Sequence, residues 1–141
     1  MATIFEDRPA VIERKEAQDF DPHLMDTVAL KAVSRLLSAW KVDQAAAATL
    51  VGVRDRTWAR MKSGSWSGEL NQDQRMRISG LVGLYQGLHV YFSDDLADRW
   101  VQLRNEGDLF RGVSPLALML EGGLPAILTV RDYVDALRGG L

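Results

Sequence analysis

Apolar residues recur every three or four positions through most of the chain, and no stretch alternates apolar and polar residues as a half-buried β-strand does. The clearest stripe consists of Val28/Ala29, Ala32/Val33, Leu36/Leu37 and Trp40. A helix with such a stripe must pack it against another helix to remove it from water. The pattern therefore predicts an all-α protein.

The composition excludes several kinds of functional site. The 141 residues include no Cys and two His, which excludes disulfides, cysteine-based metal sites and cysteine nucleophiles. The sequence contains no Gly-rich phosphate loop and no nucleophile elbow. We therefore expect no catalytic residue, no metal and no cofactor.

The chain has no apolar run near the roughly 20 residues that a membrane helix needs. Its N-terminus lacks a basic region followed by an apolar core, so we expect no signal peptide. These features predict a cytoplasmic protein that does not bind membranes.

One feature favours an enzyme. His89 is followed by Asp94, Asp95 and Asp98, and a histidine near carboxylates can act in general acid–base catalysis. The same pattern is more typical of a partly buried histidine beside a helix whose first turn is rich in acids. We interpret it as structural and keep an enzyme as the less favoured alternative.

The net charge of −2 conceals an asymmetry. Residues 26–92 carry a net charge of +4, whereas residues 1–25 and 93–141 each carry −3. A basic middle between acidic ends suggests two surfaces with two kinds of partner.

Capping residues and glycines predict where the helices begin and end. Asp26, Asp43, Asn71, Ser93 and Ser114 are candidate N-caps. Gly52 and Gly64 are expected to end the second and third helices, and Gly122-Gly123 to end the helix that begins at Ser114. Pro125 then opens a last helix that Gly139-Gly140 ends. Three glycines inside the helix 71–91 predict a close contact with another helix; the alternative is a helix that kinks or breaks.

The segment 42–64 has the spacing of a helix-turn-helix. Gln44, Ala48, Gly52 and Val53 stand at offsets 0, 4, 8 and 9. The small Ala48 lets two helices pack closely, and Gly52 supplies the positive φ of a tight turn. Val53, Trp58 and Met61 are expected to fill the space between the helices.

The remaining residues of the second helix point outward and form a basic face. Such a helix enters the major groove with its N-terminal residues on base edges. The candidate DNA-binding residues are Gln44, Arg54, Asp55, Arg56, Thr57, Arg60 and Lys62. The alternative is an ordinary helical hairpin with a solvated basic face.

Two segments resemble a known family. The helix-turn-helix resembles the Xre/Cro-like type. The C-terminal run LFRGVSPLALMLEGG at 109–123, followed by VRDYVDALRG at 130–139, is similar to the toxin-binding domain of Xre/MbcA/ParS antitoxins. The two matches cover residues 26–141.

The resemblance implies a Cro/Xre-like helix-turn-helix bundle followed by a small helical toxin-binding domain. It implies an antitoxin that inhibits a RES-domain toxin, which degrades NAD⁺, and that represses its own operon by binding operator DNA. The C-terminal ends of these antitoxins lie at the mouth of the toxin's active site. The candidate toxin-binding residues are Arg111, Arg131, Tyr133, Asp135, Arg138, Gly139, Gly140 and Leu141.

We predict three regions: a weakly ordered segment 1–25, a DNA-binding region 26–70 and a dimerisation and toxin-binding region 71–141. A homodimer is expected because two-fold operators match dimeric helix-turn-helix proteins. The helices 71–91 and 93–104 are the candidates for its interface. The alternative function is a stand-alone regulator whose C-terminal half only dimerises or senses.

Overall fold

The computed structural model describes residues 22–139, and within them the chain forms α-helices and no β-strand. The helices are α1 (Pro22–Ala39), α2 (Gln44–Val51), α3 (Asp55–Ser63), α4 (Gln72–Tyr91), α5 (Asp94–Arg99) and α6 (Pro115–Arg138), with a 3₁₀ turn at Trp100–Gln102 after α5. The predicted all-α fold is confirmed. No helix in this part of the chain has the length and apolar character needed to cross a membrane.

The start of the first helix differs from the prediction. It begins at Pro22 rather than at Asp26, so residues 22–25 are helical, while residues 1–21 lie outside the described residues. Asp26 is therefore not an N-cap but a buried residue within α1. Its carboxylate accepts two hydrogen bonds from Arg75 on α4, at 3.0 and 2.9 Å. Asp26 and Arg75 are 49 positions apart in the chain, so no local sequence pattern could have predicted that they pair.

Helices α2 and α3 form the predicted helix-turn-helix. Asp43 caps α2 by accepting a hydrogen bond from the Ala46 amide. Gly52 ends α2 with a φ of 83°, and its amide donates to the Ala48 carbonyl. Trp58 and Met61 are buried in the hydrophobic core, and Val53 is half-buried against it. The turn at Gly52 and the burial of Trp58 and Met61 are as the spacing predicts.

The long helix α4 is the helix against which α6 packs. Asn71 and Gln74 form a capping box at the start of α4, and the helix continues unbroken to Tyr91. Gly123 has a φ of 67° and a ψ of −149° and kinks α6. This conformation is essentially restricted to glycine. The predicted break at Gly122-Gly123 is thus confirmed.

The corner between α4 and α5 is held by His89. Its Nδ1 lies 3.0 Å from Asp94 and its Nε2 lies 2.8 Å from Asp98. The ring also contacts Tyr85, with centroids 4.4 Å apart. Partial burial lowers the pKa of His89, but the hydrogen bonds and charges of the two carboxylates outweigh it and raise this pKa above its usual value.

We predict that Gly52→Val lowers the thermal stability of the protein. A β-branched residue at this positive φ is strained by about 1–2 kcal/mol or more. Its Cβ would also lie 3.0 Å from Cδ and Nε of Arg77. Gly64→Val is the matched control, because Gly64 has a φ of 81° but no neighbour within 4 Å of a Cβ. Melting followed by circular dichroism should show the larger loss for Gly52→Val. Equal melting temperatures for the two variants would contradict the contact with Arg77.

We predict that His89→Gln destabilises the protein more at low pH than at high pH. Because the folded-state pKa is raised, the stabilisation by charged His89 is fully present below about pH 6.5, the usual histidine pKa. It is lost as the pH rises through the folded-state pKa. Denaturant unfolding of the native and variant chains at several pH values measures this difference. Asp95→Asn is the control, because Asp95 pairs with Arg99 instead; the prediction is wrong if both variants show the same pH dependence.

Candidate functional site

The outer face of the helix-turn-helix carries the first group of candidate residues. Arg54, Arg56 and Arg60 are exposed, and none of them forms an ion pair within the described part of the chain. Arg56 and Arg60 lie one turn apart, on the side of α3 opposite to Trp58 and Met61. The fold thus turns these guanidinium groups away from the core and toward a partner.

Asp55 and Thr57 occupy the first turn of α3 beside these arginines. Asp55 is exposed and Thr57 is half-buried. Arg54 takes the N-cap position but makes no capping hydrogen bond with its side chain. An arginine side chain has no acceptor for the free amides at the amino end of α3, so these amides can donate to an anion.

Gln44 joins the two helices of the motif. Its Nε2 lies 3.5 Å from the Asp55 carbonyl oxygen, and its Oε1 accepts a hydrogen bond of 3.3 Å from Lys62 Nζ. Sequence reasoning placed Gln44 and Lys62 in the DNA-binding set without linking them. The structure brings them together, so Gln44 positions Lys62 at the surface.

Arg77 of α4 contacts the helix-turn-helix, and the sequence did not point to it as a functional residue. Its Nη1 donates to the Thr49 carbonyl at 3.2 Å, and its Nε donates to Asp73 at 2.8 Å. A cation at the carboxyl end of a helix satisfies free carbonyl groups and interacts favourably with the helix dipole. Arg77 thereby fixes α2 on α4, a role that no sequence spacing indicated.

The second group of candidates lies in the C-terminal half. Arg111 is exposed on the loop 107–113 and has a φ of 51°. The loop is closed by the Gly112 amide, which donates to the Asn105 carbonyl at 2.8 Å. This bond and the buried Phe110 hold the loop in place, so Arg111 projects from a fixed backbone.

The candidates on the last half of α6 are brought into one cluster. Asp135 accepts a hydrogen bond of 2.8 Å from Arg138 and lies 3.8 Å from Arg131. Arg131 is half-buried and lies across Gly83 of α4. Arg138 is exposed. Two cations share one carboxylate, so the cluster keeps a net positive charge.

Tyr133 differs from the exposed residue that the sequence analysis expected. It is half-buried, with its ring centroid 5.1 Å from Phe110 and 6.3 Å from Trp100. Its ring therefore anchors α6 to the loop 107–113, and only part of it can meet a partner. Gly139 is exposed at the end of α6, whereas Gly140 and Leu141 lie outside the described residues.

His89 has no ring nitrogen left for catalysis. Both nitrogens are within 3.0 Å of a carboxylate, and a general base needs a free nitrogen facing its substrate. This geometry agrees with the structural interpretation of His89.

Comparison with known proteins identifies both segments. Residues 19–83 match the antitoxin Xre-like helix-turn-helix domain. Residues 86–140 match the antitoxin Xre/MbcA/ParS C-terminal toxin-binding domain. The two matches meet within α4, the helix that contacts both segments.

A curated relative covers most of the chain. It is the uncharacterized protein y4oB of Sinorhizobium fredii (strain NBRC 101917 / NGR234), which is 33% identical over 113 residues, or 79% of this chain and 84% of that protein. No solved structure matches the chain significantly. With the two domain matches on consecutive segments, the chain belongs to the Xre/MbcA/ParS family of antitoxins of toxin–antitoxin systems.

Proposed function

We propose that this antitoxin inhibits a RES-domain toxin that degrades NAD⁺, and that it represses its own operon by binding operator DNA as a homodimer in the cytoplasm. The observation that carries the DNA-binding part is the exposed basic face of α3, whose three arginines have no acidic partner among the described residues. The RES class of the toxin follows from the resemblance of residues 109–139 to the family's toxin-binding domain.

The chemistry of α3 suits the major groove. Arginine makes bidentate hydrogen bonds to guanine, and Lys or Thr can contact phosphate or base. Arg54, Arg56 and Arg60 are the base-reading candidates, while Lys62 and Gln44 are assigned to the backbone. Asp55 and Thr57 complete the contact set at the amino end of the helix.

A homodimer places two such helices on one duplex. Two-fold operators are read by dimers whose recognition helices lie one or more helical turns apart. The end of α4 supports an interface there, since Val90 is 70% exposed and Tyr91 is 47% exposed. Leu103, which follows the 3₁₀ turn, is 41% exposed. We assign these apolar residues to the dimer interface, as the predicted interface helices 71–91 and 93–104 suggest.

The toxin surface is assigned to the loop 107–113 and the end of α6. Arg111 and Arg138 are exposed, and Arg131 and Asp135 lie beside Arg138. Tyr133 contributes its accessible edge. Gly139, Gly140 and Leu141 follow Arg138 in the sequence and are assigned to the same toxin contact, because glycine lets a backbone approach a partner closely.

We predict that Arg56→Ala weakens operator binding by about 1–3 kcal/mol and changes sequence preference, as expected for a base contact. The triple variant Arg54→Ala/Arg56→Ala/Arg60→Ala should lose operator binding, while circular dichroism still shows a folded helical protein. Fluorescence-anisotropy titration measures the operator affinity of the single and the triple variant and gives the number of protein chains per operator.

Arg111→Ala is the control for operator binding, because Arg111 is an exposed arginine outside the helix-turn-helix and outside the assigned dimer interface. The α3 variants should not alter toxin neutralisation. A folded triple variant with native operator affinity would refute the DNA-binding assignment.

We predict that deletion of residues 139–141 leaves folding and operator binding intact but restores part of the toxin's activity. The deleted residues follow the last buried residue of α6, Val134, so the core is retained. The measurement is NAD⁺ consumption by the toxin mixed with the full-length or the truncated antitoxin.

Two point variants of α6 sharpen this test. Arg138→Glu should weaken toxin binding, whereas Asp132→Asn, an exposed residue outside the candidate set, should not. Equal inhibition by the full-length and truncated chains would show that the chain end does not block the active site. Native inhibition by both the truncated chain and Arg138→Glu would count against this surface as the toxin contact.

A further inference from the structure

A cavity of about 600 Å³ opens at the carboxyl end of α3. Its walls come from α1, from the last turn of α3 and from the segment 64–68. Three exposed cations line it, and they are Lys31, Arg35 and Lys62. Two of the three are on α1, which lies outside the helix-turn-helix.

The cavity carries an excess of positive charge. Neither Lys31 nor Arg35 forms an ion pair with any described residue. Asp26 also lines the cavity, but its carboxylate is bound by Arg75 and by the Leu70 amide. The hydroxyl groups of Ser34 and Ser63 add hydrogen-bonding capacity. These groups together suit a ligand with negative charge and several acceptor oxygens.

The length of α3 places this cavity relative to DNA. A recognition helix places its amino end on the base edges. The nine residues of α3 set its carboxyl end about 13 Å away from that end, so the carboxyl end is directed away from the contacted bases and toward the phosphate backbone that borders the groove. The cationic cavity lies at that end.

We propose that the cavity binds phosphate groups of the DNA backbone flanking the major groove, with Lys31 and Arg35 of α1 as the contacting residues beside Lys62. This inference rests on the proposed operator binding and extends the DNA interface from the helix-turn-helix to α1. The open, exposed setting of the cations fits a backbone lying across the cavity mouth better than a small anion held inside it.

Salt dependence provides the test. Each phosphate contact that is lost makes the dependence of log K on log salt shallower by about one unit. The variant Lys31→Ala/Arg35→Ala loses two contacts in each subunit, so it should flatten the slope by about four units for the proposed homodimer and weaken binding roughly a hundredfold or more near 0.15 M salt. The loss should be similar for operator and for an unrelated duplex, since phosphates carry no sequence information.

The variant Lys31→Arg/Arg35→Lys is the matched control, because it keeps both charges and should keep the native slope. Arg111→Ala, an exposed arginine outside the DNA-binding and dimer surfaces, should also keep it. An unchanged slope in the double alanine variant overturns the inference. A different result would refute the proposed function: native operator affinity in the triple arginine variant of α3.

Trp66 gives a second readout. It lines the cavity and is partly exposed, whereas Trp40, Trp58 and Trp100 are at most 7% exposed. DNA should quench its fluorescence, and Trp66→Phe should remove this signal. The double alanine variant should show less quenching at equal DNA occupancy. Inorganic phosphate alone should leave the emission unchanged; saturable quenching by phosphate without DNA would instead mean a free-anion site and contradict the inference.

Discussion

The close approach of α4 and α6 is the contact on which the rest of the structure depends. A Cβ at Gly80 would lie 2.8 Å from Cγ2 of Ile127, and one at Gly87 would lie 3.2 Å from Cγ1 of Val134. Glycine inside a helix is less favourable than alanine by about 1 kcal/mol. Burial of Ile127, Val130 and Val134 stabilises the fold by roughly 1.5–3 kcal/mol each, which exceeds the loss from three glycines.

The amino-terminal half of α4 holds the helix-turn-helix through polar contacts instead. Arg75 binds the buried Asp26 of α1, and Arg77 binds carbonyl groups at the end of α2. Hydrogen bonds of this kind fix direction, because donor and acceptor must be aligned as well as close. One helix therefore positions the basic face of α3 and the cationic cluster of α6 in a single rigid framework.

The structure explains the charge asymmetry of the sequence, because it shows which cations of residues 26–92 have partners within the protein. Seven of the nine cations of residues 26–92 fall into two sets. Arg75 pairs with Asp26 on α1, and Arg77 pairs with Asp73 within α4 and donates to carbonyl groups at the end of α2. Arg54, Arg56 and Arg60, with Lys31 and Arg35 on α1, have no such partner among the described residues and face solvent. An overall charge of −2 is thus compatible with a locally basic surface.

The sequence by itself determined the helices and the helix-turn-helix, because these depend on local spacing, while the family was indicated by the resemblance of its motifs. Apolar periodicity, the caps at Asp43, Asn71 and Ser114, and the turn at Gly52 act within a few residues of one another. Only the tertiary structure decided which charged side chains bind other parts of the protein and which face solvent without an ion-pair partner among the described residues. Asp26 was expected to cap a helix and is instead buried against Arg75, and Tyr133 was expected outside but packs on Phe110. Such contacts join residues far apart in the chain, so they depend on how the helices pack and leave no periodic pattern in the sequence.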